Sequence, residues 1–248
     1  MSSPYVGKKI IQLDTVDSTN NYAAKEFKQG HIQSGTVILA GEQTFGRGQR
    51  GKLWQSSPHE NILMSFPLDL TFFGNLNPIT VNHLVSLALY DFFISLDLNA
   101  AIKWPNDILI NNKKIAGILI ENQLEGKTFV SSIIGIGINV NQLYFDFPKT
   151  TSLYIELRKS QDLKVVLGKI ISCINKRLED SLHLNEYDIR RQYTYNLWKI
   201  NELTGFVTNG NEIKGTIIST ESDGGIIIES EGKKMKYYNG EIQFKERL

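Results

Sequence analysis

Hydrophobic positions along the chain change period several times, and each change marks a predicted element. "KKIIQLDTV", residues 8–16, reads as a first strand. "DSTNNYAAKEFKQG", 17–30, reads as a helix with Asp17 or Ser18 as N-cap and Gly30 as C-cap. "GTVILAGEQ", 35–43, is a buried strand that runs into a loop rich in glycine and arginine. "NILMSFPLDL", 61–70, is the next strand, and Pro67 within it predicts an edge or a bulge. The mostly apolar "NPITVNHLVSLALYDFFISL", 77–96, is a helix capped by Asn77, with Pro78 at the first helical position, where a missing N–H costs nothing. Two apolar runs then flank Asn111-Asn112, residues that tolerate left-handed turns, so 100–123 contains a hairpin. "TFVSSIIGIGINVN", 128–141, is a long central strand, and helical stretches follow at about 151–184 and 186–198.

After Trp198 the texture changes. Short strands alternate with Asn-Gly, Asp-Gly-Gly, Glu-Gly and Asn-Gly, the spacing of a small SH3-type β-barrel. The boundary falls near residue 200, dividing a domain over 1–200 from one over 201–248. The larger part mixes helix and strand without a strict βαβ rhythm, which predicts an α+β fold with a mixed sheet and flanking helices.

Composition adds limits. The 248 residues are 41% hydrophobic and 21% charged with net charge +1, as in an ordinary globular protein, and there is no chain-wide electrostatic footprint for DNA. No apolar run is long enough to span a bilayer, and no signal-peptide h-region opens the chain, so a cytoplasmic location is expected. One cysteine excludes an internal disulfide. Cys173 lies among Leu163, Val166, Leu167, Ile170, Ile174 and Leu178 at helical period and reads as a small apolar residue. The four histidines lack ligand spacing, and His83 reads as a core or boundary residue of its helix.

Four stretches carry candidate chemistry. "GRGQRGK", 46–52, combines glycines that let the backbone approach a ligand with arginines suited to phosphate or carboxylate. It is neither a Walker A loop nor a dinucleotide fingerprint, and alone it also fits a flexible basic surface loop. "KWPND", 103–107, is a rigid corner presenting Lys103, Asn106 and Asp107. Asp107 is a candidate Mg²⁺ ligand, although a well-made turn explains the stretch equally. In "KKIAGILIE", Lys114 at a strand start can neutralise charge developing on an oxygen, and Gly117 marks a close approach; a solvated lysine pair is the plain alternative. "GIGIN", 135–139, ends in Asn139, which reads a base edge or caps the strand.

Taken together and in order, "DSTN", "GRGQRGKLW", "KWPND", "KKIAGILIE", "GIGIN" and the terminal "NGEI" resemble the biotin–protein ligase family, over nearly the whole chain from Asp17 to Phe244. The resemblance implies a class II aminoacyl-tRNA synthetase-like fold with an SH3-like C-terminal barrel. It also implies ATP, biotin and Mg²⁺ as ligands, and a biotinyl-5′-AMP intermediate. The acceptor it implies is a lysine on the biotin carboxyl carrier domain of a carboxylase of the acetyl-CoA carboxylase type. By the same resemblance, Ser18, Thr19, Asn20, Gln43, Gly46, Arg47, Gly48, Gln49, Lys114 and Gly117 bind biotin, with Lys114 and Arg47 catalytic. Arg50, Trp54, Lys103, Asn106, Asp107, Asn139 and Glu241 bind ATP, and Asp107 holds the metal. Gln49 stands where many members carry an arginine, which removes one charge from the intermediate's clamp. About nine residues precede the first strand, leaving no room for a winged-helix domain, so a ligase without DNA or membrane partners is expected, as monomer or homodimer. A lipoate- or octanoate-attaching enzyme of related fold and a non-enzymatic biotin- or nucleotide-binding regulator are the alternatives.

Overall fold

The computed structural model describes residues 5–74, 76–126 and 128–245. A seven-stranded sheet is built from β1 (Ile10–Val16), β2 (Val37–Gln43), β3 (Ile62–Asp69), β4 (Ala100–Lys103), β5 (Asp107–Ile110), β6 (Lys113–Glu125) and β7 (Thr128–Ile138). Its order is β1-β2-β3-β7-β6-β5-β4, with β1 and β2 parallel and every other pairing antiparallel. The long strand β7 is central, as its apolar run predicts. The Asn111-Asn112 turn is formed by two residues at positive φ, 49° and 64°, the requirement of a tight I′-type hairpin.

Pro67 corrects an expectation. Its strand is internal, and the β3–β7 register runs through it without a shift. The Pro67 carbonyl accepts from Gly35 N–H at 2.8 Å, so the missing donor faces the flank beyond the β2 ladder, which ends at Ser65. No ladder bond is lost there.

Alternation along β7 separates two faces. Ile134, Ile136 and Ile138 join the main core with helices α2 (Pro78–Ile94), α4 (Leu163–Asp180) and α5 (Glu186–Tyr195). Ile133 packs on the opposite face against Ala23 of α1 (Thr19–Lys28). Gly135 and Gly137 share that second face, and the missing side chains leave room above the sheet.

The helical stretch expected over 151–184 is two helices. α3 (Leu153–Leu157) ends at Arg158, which sits in the left-handed region at φ 53°. Asp162 then caps α4, accepting from Lys164 N–H at 2.7 Å. At the other predicted caps, Asn77 accepts from Ile79 N–H at 2.9 Å and Gly30 follows α1 at positive φ, whereas the Ser18 side chain makes no cap bond.

A five-stranded antiparallel sheet closes the chain: β8 (Leu203–Thr208), β9 (Asn211–Thr220), β10 (Ile226–Ser230), β11 (Lys233–Tyr237) and β12 (Gln243–Phe244), in the order β11-β10-β9-β8-β12, as in an SH3-like unit. Phe206, Ile217, Ile226 and Ile228 of this sheet are continuous with the main core. Trp104 of the β4–β5 corner donates to Gly224 O at 3.2 Å, and the hydroxyls of Thr194 on α5 and Thr220 on β9 meet at 2.6 Å, so polar contacts also tie the small sheet to the rest of the molecule.

Candidate active site

A cavity of about 1610 Å³ lies between the glycine face of the large sheet and the small sheet. One end is a buried polar knot at the start of α1. Gln43 Oε1 accepts from both Thr19 N–H, at 2.8 Å, and Thr19 Oγ1, at 3.0 Å. Gln43 therefore serves a helix-terminal donor that the Ser18 side chain leaves alone. The Ser65 hydroxyl lies 2.7 Å from Thr19 Oγ1 and 2.6 Å from Asn20 Oδ1, and Asn20 Nδ2 donates to Glu121 at 2.8 Å. Ser18, Thr19 and Asn20 are nearly inaccessible, yet all three line the cavity. Gly135 is required beneath Asn20, because a Cβ there would overlap the Asn20 amide.

The opposite end is cationic. Residues 46–54 form a hairpin, with Trp54 N–H donating to Gly46 O at 2.9 Å and Gly48 N–H to Lys52 O at 2.7 Å. Arg50 and Gly51 take positive φ at its tip. Three side-chain contacts tie the hairpin down. Arg47 pairs with Glu121 of β6 at 2.5 Å, Arg50 donates to Asn239 O at 2.7 Å, and Gln49 Oε1 accepts from Asn239 Nδ2 at 2.7 Å. The neutral amide of Gln49 thus fastens the loop to the small sheet, where a guanidinium could not accept. Gly240 leaves space for the Arg50 guanidinium, which a Cβ would overlap.

Trp54 lays its indole over the strand glycines. A Cβ on Gly117 would stand 2.9 Å from Trp54 Cζ3, and one on Gly137 would overlap the ring. Trp54 Nε1 is buried and has no hydrogen-bond partner among the described residues. Lys114 Nζ lies 5.4 Å from the centre of that ring and 2.7 Å from Asp107 Oδ1. Lys103, paired in register with Asp107, points its ammonium at the rings of Trp198 (5.7 Å) and Phe244 (5.6 Å).

The corner between β4 and β5 is held from behind, with a cis peptide before Pro105. Asn82 donates to the Pro105 carbonyl at 2.9 Å and the Tyr193 hydroxyl donates to it at 2.8 Å. Asn106 is pinned to β6, exchanging bonds with Ile118 at 2.6 and 3.0 Å. His83 stacks on Tyr193 with ring centres 4.1 Å apart. Burial, with a smaller contribution from the Arg190 charge, pushes the His83 pKa down to about 3, so its ring is neutral. Burial also raises the Tyr193 phenol, which stays a donor.

The structure brings most of the anticipated residues to one wall. Ser18, Thr19, Asn20, Gln43, Arg47, Gly48, Gln49, Arg50, Trp54, Lys103, Asn106, Asp107, Lys114 and Gly117 all line the cavity. Three lie off it. Gly46 is buried at the base of the hairpin, against Trp54 O. Asn139 is buried, donating its amide to Thr151 O at 3.0 Å. Glu241 accepts from Tyr238 N–H at 2.8 Å within its own turn. Sequence reasoning missed Glu121, Ser65 and Asn239, whose partners are 74, 46 and 189 residues away. It also missed the Phe147–Thr150 segment that walls the cavity. Glu121 ends the quoted stretch "KKIAGILIE" and Asn239 opens "NGEI", but neither is assigned a role there, and no local pattern marks Ser65 or the 147–150 segment.

Among the described residues there is no group of three or more His, Cys, Asp or Glu placed to hold a metal. Asp107, already paired with Lys114, is a single carboxylate beside the cavity. That donor set suits a Mg²⁺ carried mainly by phosphate oxygens and water, and not an all-protein cage.

Residues 13–139 match the sequence model of the Biotin/lipoate A/B protein ligase family. Over 98% of its length the chain is 30% identical to the bifunctional ligase/repressor BirA of Bacillus spizizenii, covering 76% of that protein. Over 52% of its length it is 38% identical to the biotin–[acetyl-CoA-carboxylase] ligase of Paracoccus denitrificans, covering 53% of that protein. Among solved structures, a biotin protein ligase from Aquifex aeolicus in complex with biotin and ATP is similar at TM-score 0.78, with 27% identity, 97% of this chain and 100% of that one covered.

Proposed function

The chain belongs to the Biotin/lipoate A/B protein ligase family, and on that premise we propose that it attaches biotin, at the expense of ATP, to a lysine of a biotin carboxyl carrier domain. The observation that carries this reading is a single cavity with a buried, mutually bonded polar end and a cationic mouth built on Lys114, Lys103, Arg47 and Arg50.

In the first step a biotin carboxylate oxygen attacks the α-phosphorus of ATP. The bond to pyrophosphate breaks, giving biotinyl-5′-AMP. Bringing a carboxylate to a polyphosphate requires charge neutralisation at contact, and preorganised cations supply it without reorganising during the reaction. Lys114 takes the acyl and α-phosphoryl oxygens, Lys103 and Arg50 the remaining phosphate charge, and Arg47 the carboxylate. Ser18, Thr19, Asn20 and Gln43 orient the ureido end. Asp107 would hold a Mg²⁺ bound together with the nucleotide, and that ion would supply further neutralisation of phosphate charge. In the second step the carrier lysine amine attacks the acyl carbon, the bond to AMP breaks, an amide forms and the amine releases its proton.

The acyl-adenylate is a mixed anhydride and hydrolyses if water reaches it. The hairpin of residues 46–54, latched to Asn239 and Glu121, is the element that excludes water. Residues 1–200 form the catalytic unit in this reading, and 201–248 supply the surface on which the hairpin closes.

The test is incubation with biotin, Mg-ATP and a carrier domain of an acetyl-CoA carboxylase, followed by mass measurement of both proteins. The carrier gains one biotinyl group, and lipoate in place of biotin gives none. An unmodified carrier, or equal labelling with lipoate, contradicts the proposal.

A further inference from the structure

A second cavity, of about 710 Å³, lies behind the β4–β5 corner where α5, the edge strand β4 and β9 meet. It shares no lining residue with the cavity that contains Lys114. The volume is that of a site for a small organic molecule.

Its chemistry is specific. Tyr90, Tyr187 and Tyr195 line it, with Tyr187 and Tyr195 largely exposed to the cavity and solvent. Arg190 and Arg191 line it too, and its one acid among the described residues is Glu221. Neither arginine side chain has a hydrogen bond or carboxylate partner among the described residues; Arg190 lies over the Tyr187 ring at 5.6 Å, and its charge also acts on buried His83. Arg158, exposed at the end of α3, likewise has no side-chain partner among the described residues, but three other arginines are engaged. Arg177, one helix away, makes a bidentate pair with Asp91 at 2.6 and 2.8 Å, and Arg47 and Arg50 are both engaged. Two guanidinium forks with no protein acceptor, set among tyrosine faces, offer paired donors to an oxyanion and stacking area to a flat ring.

We propose that this cavity is a binding site for an aromatic anion, a planar ring bearing a carboxylate or phosphate, distinct from the Lys114 cavity. The ring stacks among the tyrosines and the anionic group meets Arg190 and Arg191. The proposal does not depend on biotin being the substrate.

Phenyl phosphate, titrated calorimetrically into the full chain, is the test. Saturable one-site binding is expected. Replacing both arginines, Arg190→Gln with Arg191→Gln, should weaken it at least tenfold, whereas Lys114→Ala should leave it unchanged. Because Arg190 is partly buried, Tyr195→Ala, at an exposed position, provides a second variant and should weaken binding several-fold with an unaltered circular dichroism spectrum. Absence of saturable binding at millimolar phenyl phosphate would overturn the proposal. So would wild-type affinity in the arginine or Tyr195 variants, or a loss confined to Lys114→Ala.

Discussion

The two ends of the main cavity are built by opposite means. At the α1 end, Thr19, Asn20 and Ser65 are buried and bonded to one another and to half-buried Gln43, so the donors are fixed before anything enters. At the mouth, the cations are exposed or half-exposed; Arg47 leans on Glu121 and Arg50 on Asn239, both far away in sequence, and Lys114 on Asp107 of the neighbouring strand. A buried network is rigid and discriminates, because an incorrect ligand leaves polar groups unpaired. A solvent-facing set of cations on a glycine-bearing hairpin can open and close at modest cost, and it acts through charge. The fixed end selects and the pliable end closes and reacts.

The largest expected effect breaks the mouth at its reacting centre. Lys114→Ala should lower biotin-dependent ATP–pyrophosphate exchange by about 10²–10³-fold, roughly 3–4 kcal/mol, the usual result of deleting one preorganised donor. Biotin affinity should change far less, since the polar knot does not involve Lys114. Equal losses in exchange and in biotin binding would erase the distinction between the two ends.

Acid sharpens the comparison from behind the corner. Folded His83 has a pKa of about 3 against the ordinary histidine value of 6.5, so between those values the unfolded chain binds more protons than the folded one. The stability contributed by a neutral His83 is fully present above 6.5 and declines as pH falls towards 3, by up to about 1.4 kcal/mol per pH unit. Urea midpoints at pH 7 and pH 5 should therefore diverge more in the wild type than in His83→Phe. A variant with the same pH dependence would remove His83 from the account.

Gly137→Ala should expel the Trp54 ring from its seat, costing about 1–3 kcal/mol through overpacking and shifting tryptophan emission. Unchanged emission would show that the indole does not rest there. The smallest expected effect is that of Gly240→Ala. Gly240 sits at φ 94° against the Arg50 guanidinium, so alanine is strained by about 1–2 kcal/mol and the latch opens. Trypsin should then cut at Arg50 faster, while the α1 end keeps its thermal behaviour; unaltered cutting would argue against a latch.

Local chemistry made much of this legible in the sequence. Asn111-Asn112 needed only two residues tolerant of positive φ, and Asn77-Pro78 only a cap and a fixed φ. The cationic loop and the proline corner could be seen because their residues are adjacent. What holds them could not. The Pro105 carbonyl is gripped by Asn82 and Tyr193 because α2 and α5 pack behind it, and no spacing encodes that meeting. Asn139 shows the limit of alternation. It follows Gly135 and Gly137 at period two, but β7 ends at Ile138, and the next residue turns inward to Ile115 O and Thr151 O. Gln49, read in sequence only as the loss of a charge, gains its structural role through Asn239, near the other end of the chain.

Hydrogen exchange with and without a non-hydrolysable biotinyl-adenylate analogue tests the central contrast most directly. Amides of residues 46–54 should gain at least tenfold protection on binding, while Thr19 and its neighbours, already protected, change little. Equal protection of the hairpin in both states, or protection gained only at the α1 end, would contradict a mouth that closes over a preformed pocket.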